Sequence, residues 1–471
     1  MPGNWQLTAV ELAAAFARGE TTPSAHLEQV LARIEELNPK LNAIIALDPR
    51  AREAARESGE RIAANCARGP LEGVPLTVKD SILVAGLPCT WGSRLFEQYV
   101  PGADELPVAR LRTAGAVILG KTNVPEFTLE GYTWNPLFGV TRNPWNPKLT
   151  PGGSSGGAVA SVAAGLAPLA LGTDGGGSIR RPASHTGLVG LKPSIGRVAR
   201  GPSLPQILLD MEVIGPIART VGDAALLYHA IAGSDARDRR SLLAAEPGGR
   251  PADAPLAILY VPRFGDAPLD PEIAASVDQA ALALEALGHR VEQRAALPFD
   301  IAPIVEFWPI LGQVGVTHVL EQHRGKESFI GERFRAMLEA GVKVSAARYL
   351  AGIETVNAFR RTVTEAFEYF DLIMTPSAAA LPWPAEQVYP EAIDGRVAGP
   401  RGHAVYTGWV NACGHPAISL PCAPSRSGLP IGFQLVGHFG ADDLLLDVAR
   451  HFEAANPWRD RWPEFALDTK R

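Results

Sequence analysis

Apolar residues recur first at a helical interval and then in short unbroken runs. Leu27, Val30, Leu31, Ile34 and Leu37 share one helical face, with Thr22 as cap and Pro23 at the first position. Asn38-Pro39 is expected to end that helix. Ahead of it, Thr8-Ala9-Val10-Glu11 has the form of a capping box before a short amphipathic helix that stops at Gly19. Residues 49–67 read as a third, more charged helix. Together residues 1–67 predict a covering layer without chemistry. From Gly73 the pattern changes. Residues 75–78 and 116–119 are short strand-like runs with a helical turn at 108–113 between them, and 256–261, 271–287 and 289–292 repeat strand, helix, strand. Such alternation predicts an α/β architecture with substantial parallel pairing. The Pro-, Gly- and Ala-rich stretches 244–254 and 376–400 predict surface connections. Neither is polar enough to be a disordered linker, so the chain is not divided there.

Composition narrows the function classes. Of 471 residues, 46% are apolar and 20% charged, which suits a globular enzyme with a large core. A formal charge of −6 without a basic stripe argues against a nucleic-acid partner. Cys66, Cys89, Cys413 and Cys422 include no C-x-x-C spacing, so neither a disulfide framework nor a zinc site is indicated. Charged residues at Glu11, Arg18 and Glu20 interrupt the run a signal peptide would need, and no apolar stretch reaches membrane-spanning length. These features predict a cytoplasmic protein with no membrane partner.

Candidate chemistry concentrates in residues 150–183. Two glycine-rich turns, Gly152-Gly153-Ser154-Ser155-Gly156-Gly157 and Gly175-Gly176-Gly177-Ser178, flank a run of small residues: Ala158, Ala160, Ser161, Ala163, Ala164 and Gly165. The small residues would let a helix pack almost backbone to backbone, and residues 166–171 read as a buried strand that delivers the second turn. Clustered glycines lose much conformational entropy on folding; backbone N–H groups converging on a small polar species, with serine hydroxyls alongside, would account for them. Two pattern matches mislead. Gly115 to Thr122 fits the phosphate-loop expression, but its middle residues are the strand itself and Pro125 follows. Gly152-Gly153-Ser154-Ser155-Gly156 fits the nucleophile elbow, yet the Asn143-Pro144-Trp145-Asn146-Pro147 lead-in cannot be a central strand. His185, close in sequence to Ser178, is read as structural, because a serine and its histidine usually come from separate loops.

The 150–183 stretch closely resembles the signature region of the amidase signature family, serine-dependent hydrolases of carboxamides. The resemblance continues in Val78-Lys79-Asp80, Gly120-Lys121-Thr122-Asn123, Arg142-Asn143-Pro144-Trp145, Gly187 to Pro193 and Gly414 to Pro421. It is weakest over 250–370. It implies a single α/β domain over 1–471, with a mixed, mostly parallel central sheet sandwiched by helices. Within it, 74–240 would hold the catalytic core, 250–370 a variable substrate-side segment and 371–471 the rest of the core. It also implies a triad: Lys79 as base, Ser154 after a cis Gly153–Ser154 bond as intermediate, and Ser178 as nucleophile. The oxyanion hole would be the N–H groups of Gly175, Gly176, Gly177 and Ser178, with Ser155 a hydrogen-bonding support partnered by Asp174. A lysine can serve only if neutral, and the apolar strand before Lys79 suggests that burial lowers its pKa. No metal or organic cofactor is implied.

The expected reaction is hydrolysis of a small-molecule amide through a Ser178 acyl-enzyme. An alternative is the amidotransferase A subunit of the same family, which works with partner subunits on aminoacyl-tRNA. Residues 199–205, Ala-Arg-Gly-Pro-Ser-Leu-Pro, lack that subunit's tyrosine-glycine-leucine run and serine-serine-leucine-aspartate. A catalytically silent binding protein on the same fold is a third reading, disfavoured because all three triad positions are present; homodimerisation is left open. Three side chains stay ambiguous. Trp134 and Trp308 are each readable as pocket wall or core. Arg181, beside Arg180, either pairs with a nearby carboxylate or binds a substrate acid, as an arginine does here in one carboxylate-selective branch.

Overall fold

The computed structural model describes residues 4–243 and 254–467. Among these, eleven strands form one sheet: β1 Ile44–Leu47, β2 Pro75–Lys79, β3 Val117–Thr122, β4 Leu169–Asp174, β5 Val189–Lys192, β6 Val213–Ala218, β7 Ala257–Tyr260, β8 Arg290–Gln293, β9 Leu372–Pro376, β10 Ala417–Pro421 and β11 Gly432–Gly437. Their spatial order is β1-β3-β2-β4-β6-β5-β10-β11-β9-β7-β8. The sheet is mixed, as expected, but not mostly parallel. β2 pairs in parallel with β3 and β4, and β7 with β8 and β9. The other neighbours, β1–β3, β4–β6, β5–β6, β5–β10, β10–β11 and β9–β11, run antiparallel. The cause is burial. Most of these strands are covered on both faces, so antiparallel strands too read as apolar runs rather than as alternation.

The N-terminal stretch holds the three expected helices and, between the second and third, strand β1 of the sheet, which the pattern did not show. Helix α1, Ala9–Ala17, carries the Thr8/Glu11 capping box, and Asp223 accepts the amides of Ala9 and Val10. Helix α2, Pro23–Leu41, is capped by Thr22 but runs through Pro39 instead of ending before it. Asn42, left-handed at φ 53°, stops it, and Asn38 accepts the amides of Ala43 and Ile44 through its side chain. Helix α3, Ala51–Ala63, covers less than the 49–67 expected. The 376–400 stretch is a surface connection only in its second part, where most of 386–400 is exposed; 376–385 is a correction. Ser377, Ala379, Trp383 and Ala385 are buried, because the chain threads inward here: Thr150 N donates to Trp383 O, and Ser377 Oγ pairs with Ser419 Oγ. The 244–254 stretch lies outside the described residues except for Ala254. No helix among the described residues is long and apolar enough to cross a membrane.

Further helices complete the frame: α4 Leu106–Thr113, α5 Gly156–Ala163, α6 Arg180–Thr186, α7 Val221–Ile231, α8 Pro271–Ala286, α9 Ala302–Glu321, α10 Glu332–Gly341, α11 Ala346–Ala366, α12 Gly408–Cys413 and α13 Asp442–Ala455. Strand alternation sorts them to two faces. Leu169 and Leu171 of β4 join the core that includes α7, α8 and α13, whereas Ala170 packs with α5 and α6. All of α5 is buried, and its small residues do allow close approach. Gly157 N donates to Asn123 O at 3.1 Å, and a methyl group on Gly157 would lie 2.4 Å from Asn123 N and 2.6 Å from Ala43 O. Both are backbone atoms with little freedom to retreat. Gly157→Ala should therefore destabilise the protein by about 2–3 kcal/mol in urea unfolding, near the upper end for an overpacked core; an unchanged midpoint would show that the helix can shift.

Candidate active site

The strand period brings the candidate residues together. Leu76 and Val78 of β2 face the larger core, so Thr77 and Lys79 face the other way. Thr77 Oγ1 meets Ser161 Oγ of α5 at 3.1 Å, and Lys79, two residues on, reaches the loop before that helix. Its Nζ lies 2.8 Å from Ser154 Oγ, 2.8 Å from Thr173 Oγ1 and 3.1 Å from Thr173 O. Lys79 is fully buried, and burial pushes its pKa down to about 7 despite the nearby Glu212 and Asp174 charges. A neutral amine has two N–H bonds and one lone pair. Thr173 offers acceptors for both N–H bonds, which leaves the lone pair for the Ser154 hydroxyl.

Ser154 follows a cis peptide bond from Gly153. Ser155 supports the turn differently from expectation: its Oγ donates to Thr173 O at 3.2 Å, not to Asp174, and its amide donates to Ser178 O at 3.2 Å. The Asp174 carboxylate is already saturated. It accepts from the amides of Gly177 and Ile179, from Arg180 Nε and Nη2, and from Asn411 Nδ2, at 2.7–3.1 Å. Burial alone would raise its pKa, but the Arg180 guanidinium beside it holds the carboxyl far below the usual range.

Ser178 is 6% exposed and lines a cleft of about 540 Å³ with Gly175, Gly176, Arg181, Trp308 and His403. Its hydroxyl has no hydrogen-bond partner among the described residues. The expected oxyanion hole narrows here. Gly177, at φ +108°, gives its N–H to Asp174 at 2.7 Å, while those of Gly175, Gly176 and Ser178 meet no acceptor among the described residues. Thr407 Oγ1 donates to Gly176 O at 2.8 Å and fixes the peptide between the two groups.

The two arginines have different surroundings. Arg180 pairs with Asp174 at 2.9 Å, whereas Arg181 has no carboxylate partner among the described residues. Arg181 Nη1 donates to His403 Nε2 at 2.9 Å, and its Nε is buried without an acceptor. Arginine only donates, so His403 accepts through Nε2 and carries its proton on Nδ1. Burial and the Arg181 charge push the His403 pKa well below normal, which agrees with that neutral form. Burial likewise lowers Arg181 to about 9. Glu130 shares the cleft and pairs with Arg333; burial pushes its carboxyl up to about 7 against that attraction.

The remaining candidates separate. Trp308, on α9, is half-buried in the cleft wall, its ring edge 3.1 Å from where a methyl group on Gly176 would sit. Trp134 is 43% exposed on a two-residue ribbon and is not among the residues lining the cleft. His185 Nε2 contacts Ala380 O at 3.1 Å and the ring packs against Trp383; it makes no hydrogen bond to a serine hydroxyl among the described residues. Lys121 of the phosphate-loop match is buried in β3, its Nζ donating to Ile82 O at 2.5 Å. Sequence reasoning missed Thr173, His403, Thr407 and Asn411. Thr173 was findable, since it precedes Asp174 at the end of a parallel strand beside β2. The others sit after the stretch read as a surface connection and carry no motif.

The chain is similar to known proteins over most of its length. The family model described as Amidase matches residues 25–446. The A subunit of a glutamyl-tRNA(Gln) amidotransferase from Synechococcus sp. (strain CC9605) is 37% identical over 478 residues, covering 95% of this chain and 96% of that one. A bacterial aryl acylamidase of known structure superimposes with a TM-score of 0.88 at 29% identity, covering 98% of both chains. A 6-aminohexanoate cyclic dimer hydrolase does so at 0.88 and 32%, covering 99% of this chain and 100% of that one.

The buried lysine has a consequence for stability. Below about pH 7 both folded and unfolded chains carry the Lys79 proton, and the fold bears a buried cation. Between pH 7 and about 10.4 only the unfolded chain carries it, so stability rises with pH by up to about 1.4 kcal/mol per unit. Measured against Lys79→Met, which lacks the titration, wild-type protein should gain urea resistance across that window. Parallel profiles for the two proteins would show that Lys79 titrates normally.

Proposed function

The chain belongs to the amidase family, and from that premise we propose that it is a free-standing hydrolase cleaving the C–N bond of small carboxamides. The observation that carries this reading is the 2.8 Å contact between the fully buried Lys79 amine and the Ser154 hydroxyl. Neutral Lys79 takes the Ser154 proton while Ser154 takes that of Ser178, whose oxygen bonds to the amide carbon. The carbonyl electron pair moves onto oxygen, where the N–H groups of Gly175, Gly176 and Ser178 receive the charge. One such donor is worth about 3–4 kcal/mol of barrier. When the C–N bond breaks, Ser154 returns a proton to the leaving nitrogen. Water then repeats the sequence on the acyl-enzyme to release the acid. The contact between Ser154 and Ser178 is the one that must tighten when substrate fills the cleft, as catalytic hydrogen bonds often do.

Similarity to the amidotransferase favours a second reading, in which the chain needs partner subunits. The segment that departs from the amidotransferase pattern touches the cleft through one ion pair. Arg200 within it is nearly buried and bridges Glu105 at 2.8 Å and Glu212 at 3.0 Å, and Glu212 lines the cleft. Purified chain alone should release ammonia from a panel of simple amides; activity only with added partner proteins would select the second reading.

Arg181 supports an acidic substrate. It lines the cleft and forms no ion pair among the described residues, the cleft carboxylates Glu130 and Glu212 being paired with Arg333 and Arg200, and a planar guanidinium suits a carboxylate in a way lysine does not. The preferred amide then carries a carboxylate.

Three outcomes are expected. Ser178→Ala should fold normally and form no acyl-enzyme, and a fluorophosphonate that labels any other serine would overturn the nucleophile. Wild-type kcat/KM should rise through an apparent pKa near 7, and Lys79→Ala should cost about 10²–10⁴-fold at pH 7 but less at pH 10, where hydroxide substitutes. Equal losses at both pH values would remove Lys79 from the base role. Arg181→Gln should raise KM for an acidic amide about 10–100-fold with neutral amides little changed; a wild-type enzyme indifferent to substrate charge would return Arg181 to a structural role.

A further inference from the structure

Backbone strain in this protein gathers around one cavity. Trp91, Phe127, Thr128 and Leu209 have φ of 52°, 53°, 58° and 54°, in the left-handed region that bulky and β-branched residues rarely adopt. All four line a cavity of about 390 Å³, a volume in the range of small-molecule sites. Strained backbone that its surroundings enforce is concentrated at binding and catalytic sites. The cavity shares Thr128, Leu129, Leu208 and Glu212 with the cleft of Ser178, while Arg181 and Trp308 border the cleft alone. We propose that this cavity is a cation site for the amine released at Ser178, held as its ammonium with the Glu212 carboxylate as counter-charge and the Ser81 hydroxyl as acceptor.

Charge and hydrogen bonding select this occupant. Arg200 is the one cationic side chain in the cavity wall among the described residues, and two carboxylates share it: its Nε bonds Glu105 at 2.8 Å and its Nη1 bonds Glu212 at 3.0 Å. Both Glu105 oxygens accept, the second from the Leu83 amide at 3.4 Å, which suits the ionised form. One guanidinium against two carboxylates leaves the group one positive charge short. Arg200 takes only Oε1 of Glu212, whose other oxygen has no donor among the described residues. Ser81 is 3% exposed, yet its hydroxyl is buried without a partner among them. An ammonium carries N–H donors and no acceptor, and these two acceptors are what the wall leaves open. An anion would meet two carboxylates, and an apolar guest would leave Glu212 and Ser81 unpaired. Leu204, Leu208 and the Trp91 ring suit the carbon chain of an amine. Trp91 N donates to Asp80 O at 3.1 Å and Phe127 N to Trp91 O at 2.9 Å, so the strained wall is fastened to the residue after Lys79. Gln206, also in the wall, is exposed and gives the amine a way out. The protons balance: Ser154 returns one to the leaving nitrogen, giving the neutral amine. A second comes from solvent, matched by the one the acid product gives up.

The amine's origin rests on the amidase reading; the site's preference for an ammonium does not, and the test separates them. Calorimetry on the wild-type chain at pH 7 would compare butylammonium chloride with butan-1-ol, which has the same carbon chain without the charge. Butylammonium should bind about tenfold tighter or more, and its affinity should fall as salt rises. Glu212→Gln should weaken butylammonium about 10–100-fold and leave butan-1-ol unchanged. Gln206→Lys adds a cation at an exposed position of the wall and leaves the core intact. It should weaken butylammonium selectively, so the site stays testable even where Glu212→Gln does not fold. Equal affinity for the two probes would overturn the proposal, as would undiminished butylammonium binding in either folded variant. Selective butylammonium binding by a protein that hydrolyses no amide would sink the hydrolase reading and leave the cation site standing. Hydrolysis of N-butyl amides without such binding would do the reverse.

Discussion

A lysine amine that gives up its proton near neutral pH is the condition on which the rest of this structure depends. Water would hold Lys79 protonated to above pH 10, so the amine must be dry. Dryness requires a strand covered on both faces, and β2 is such a strand: β3 and β4 flank it, the larger core covers one face and α5 the other. Close cover on the second face in turn requires small residues. A side chain on Gly157 would meet the backbone of Ala43 and Asn123, so the composition of 156–165 follows from the need to exclude water from the lysine. Thr173 then supplies the acceptors that orient the amine once it is dry.

A second polar network works beside the first, and its Asp174 charge opposes the lowering of the Lys79 pKa by burial. Asp174, Arg180 and Asn411 saturate one another and pin the amides of Gly177 and Ile179, which sets the shape of the turn at Ser178. The network uses up one glycine N–H and leaves three neighbouring N–H groups without an acceptor among the described residues. Arg181 stands outside it, held by the neutral ring of His403 and turned to the cleft. Two adjacent arginines therefore differ in surroundings, one locked in an ion pair and one bonded only to a neutral ring among the described residues. That difference follows from which of them reaches Asp174.

Much of this is legible in the sequence, and the rest is hidden for identifiable reasons. The strand ending at Lys79, the small-residue helix and the glycine turn all show in local pattern, because each depends on neighbours in the chain. Strand direction does not show, since burial on both faces erases the alternation that marks an antiparallel pair. Pro39 suggests too early an end for α2, because the stop comes from the left-handed Asn42 rather than from proline. The expected Ser155–Asp174 pair does not form, because Asp174 has charged and backbone partners of its own. His403, Thr407 and Asn411 reach the site from more than 200 residues away, a juxtaposition that no local pattern encodes.

The most direct test is to watch the lysine itself. Heteronuclear NMR of protein labelled at its lysine side chains, assigned by the Lys79→Met difference, would titrate this one amine in the free protein. The account predicts a midpoint at about pH 7. A midpoint near the ordinary lysine value of about 10.4 would contradict it, because a charged Lys79 could not take a proton from Ser154.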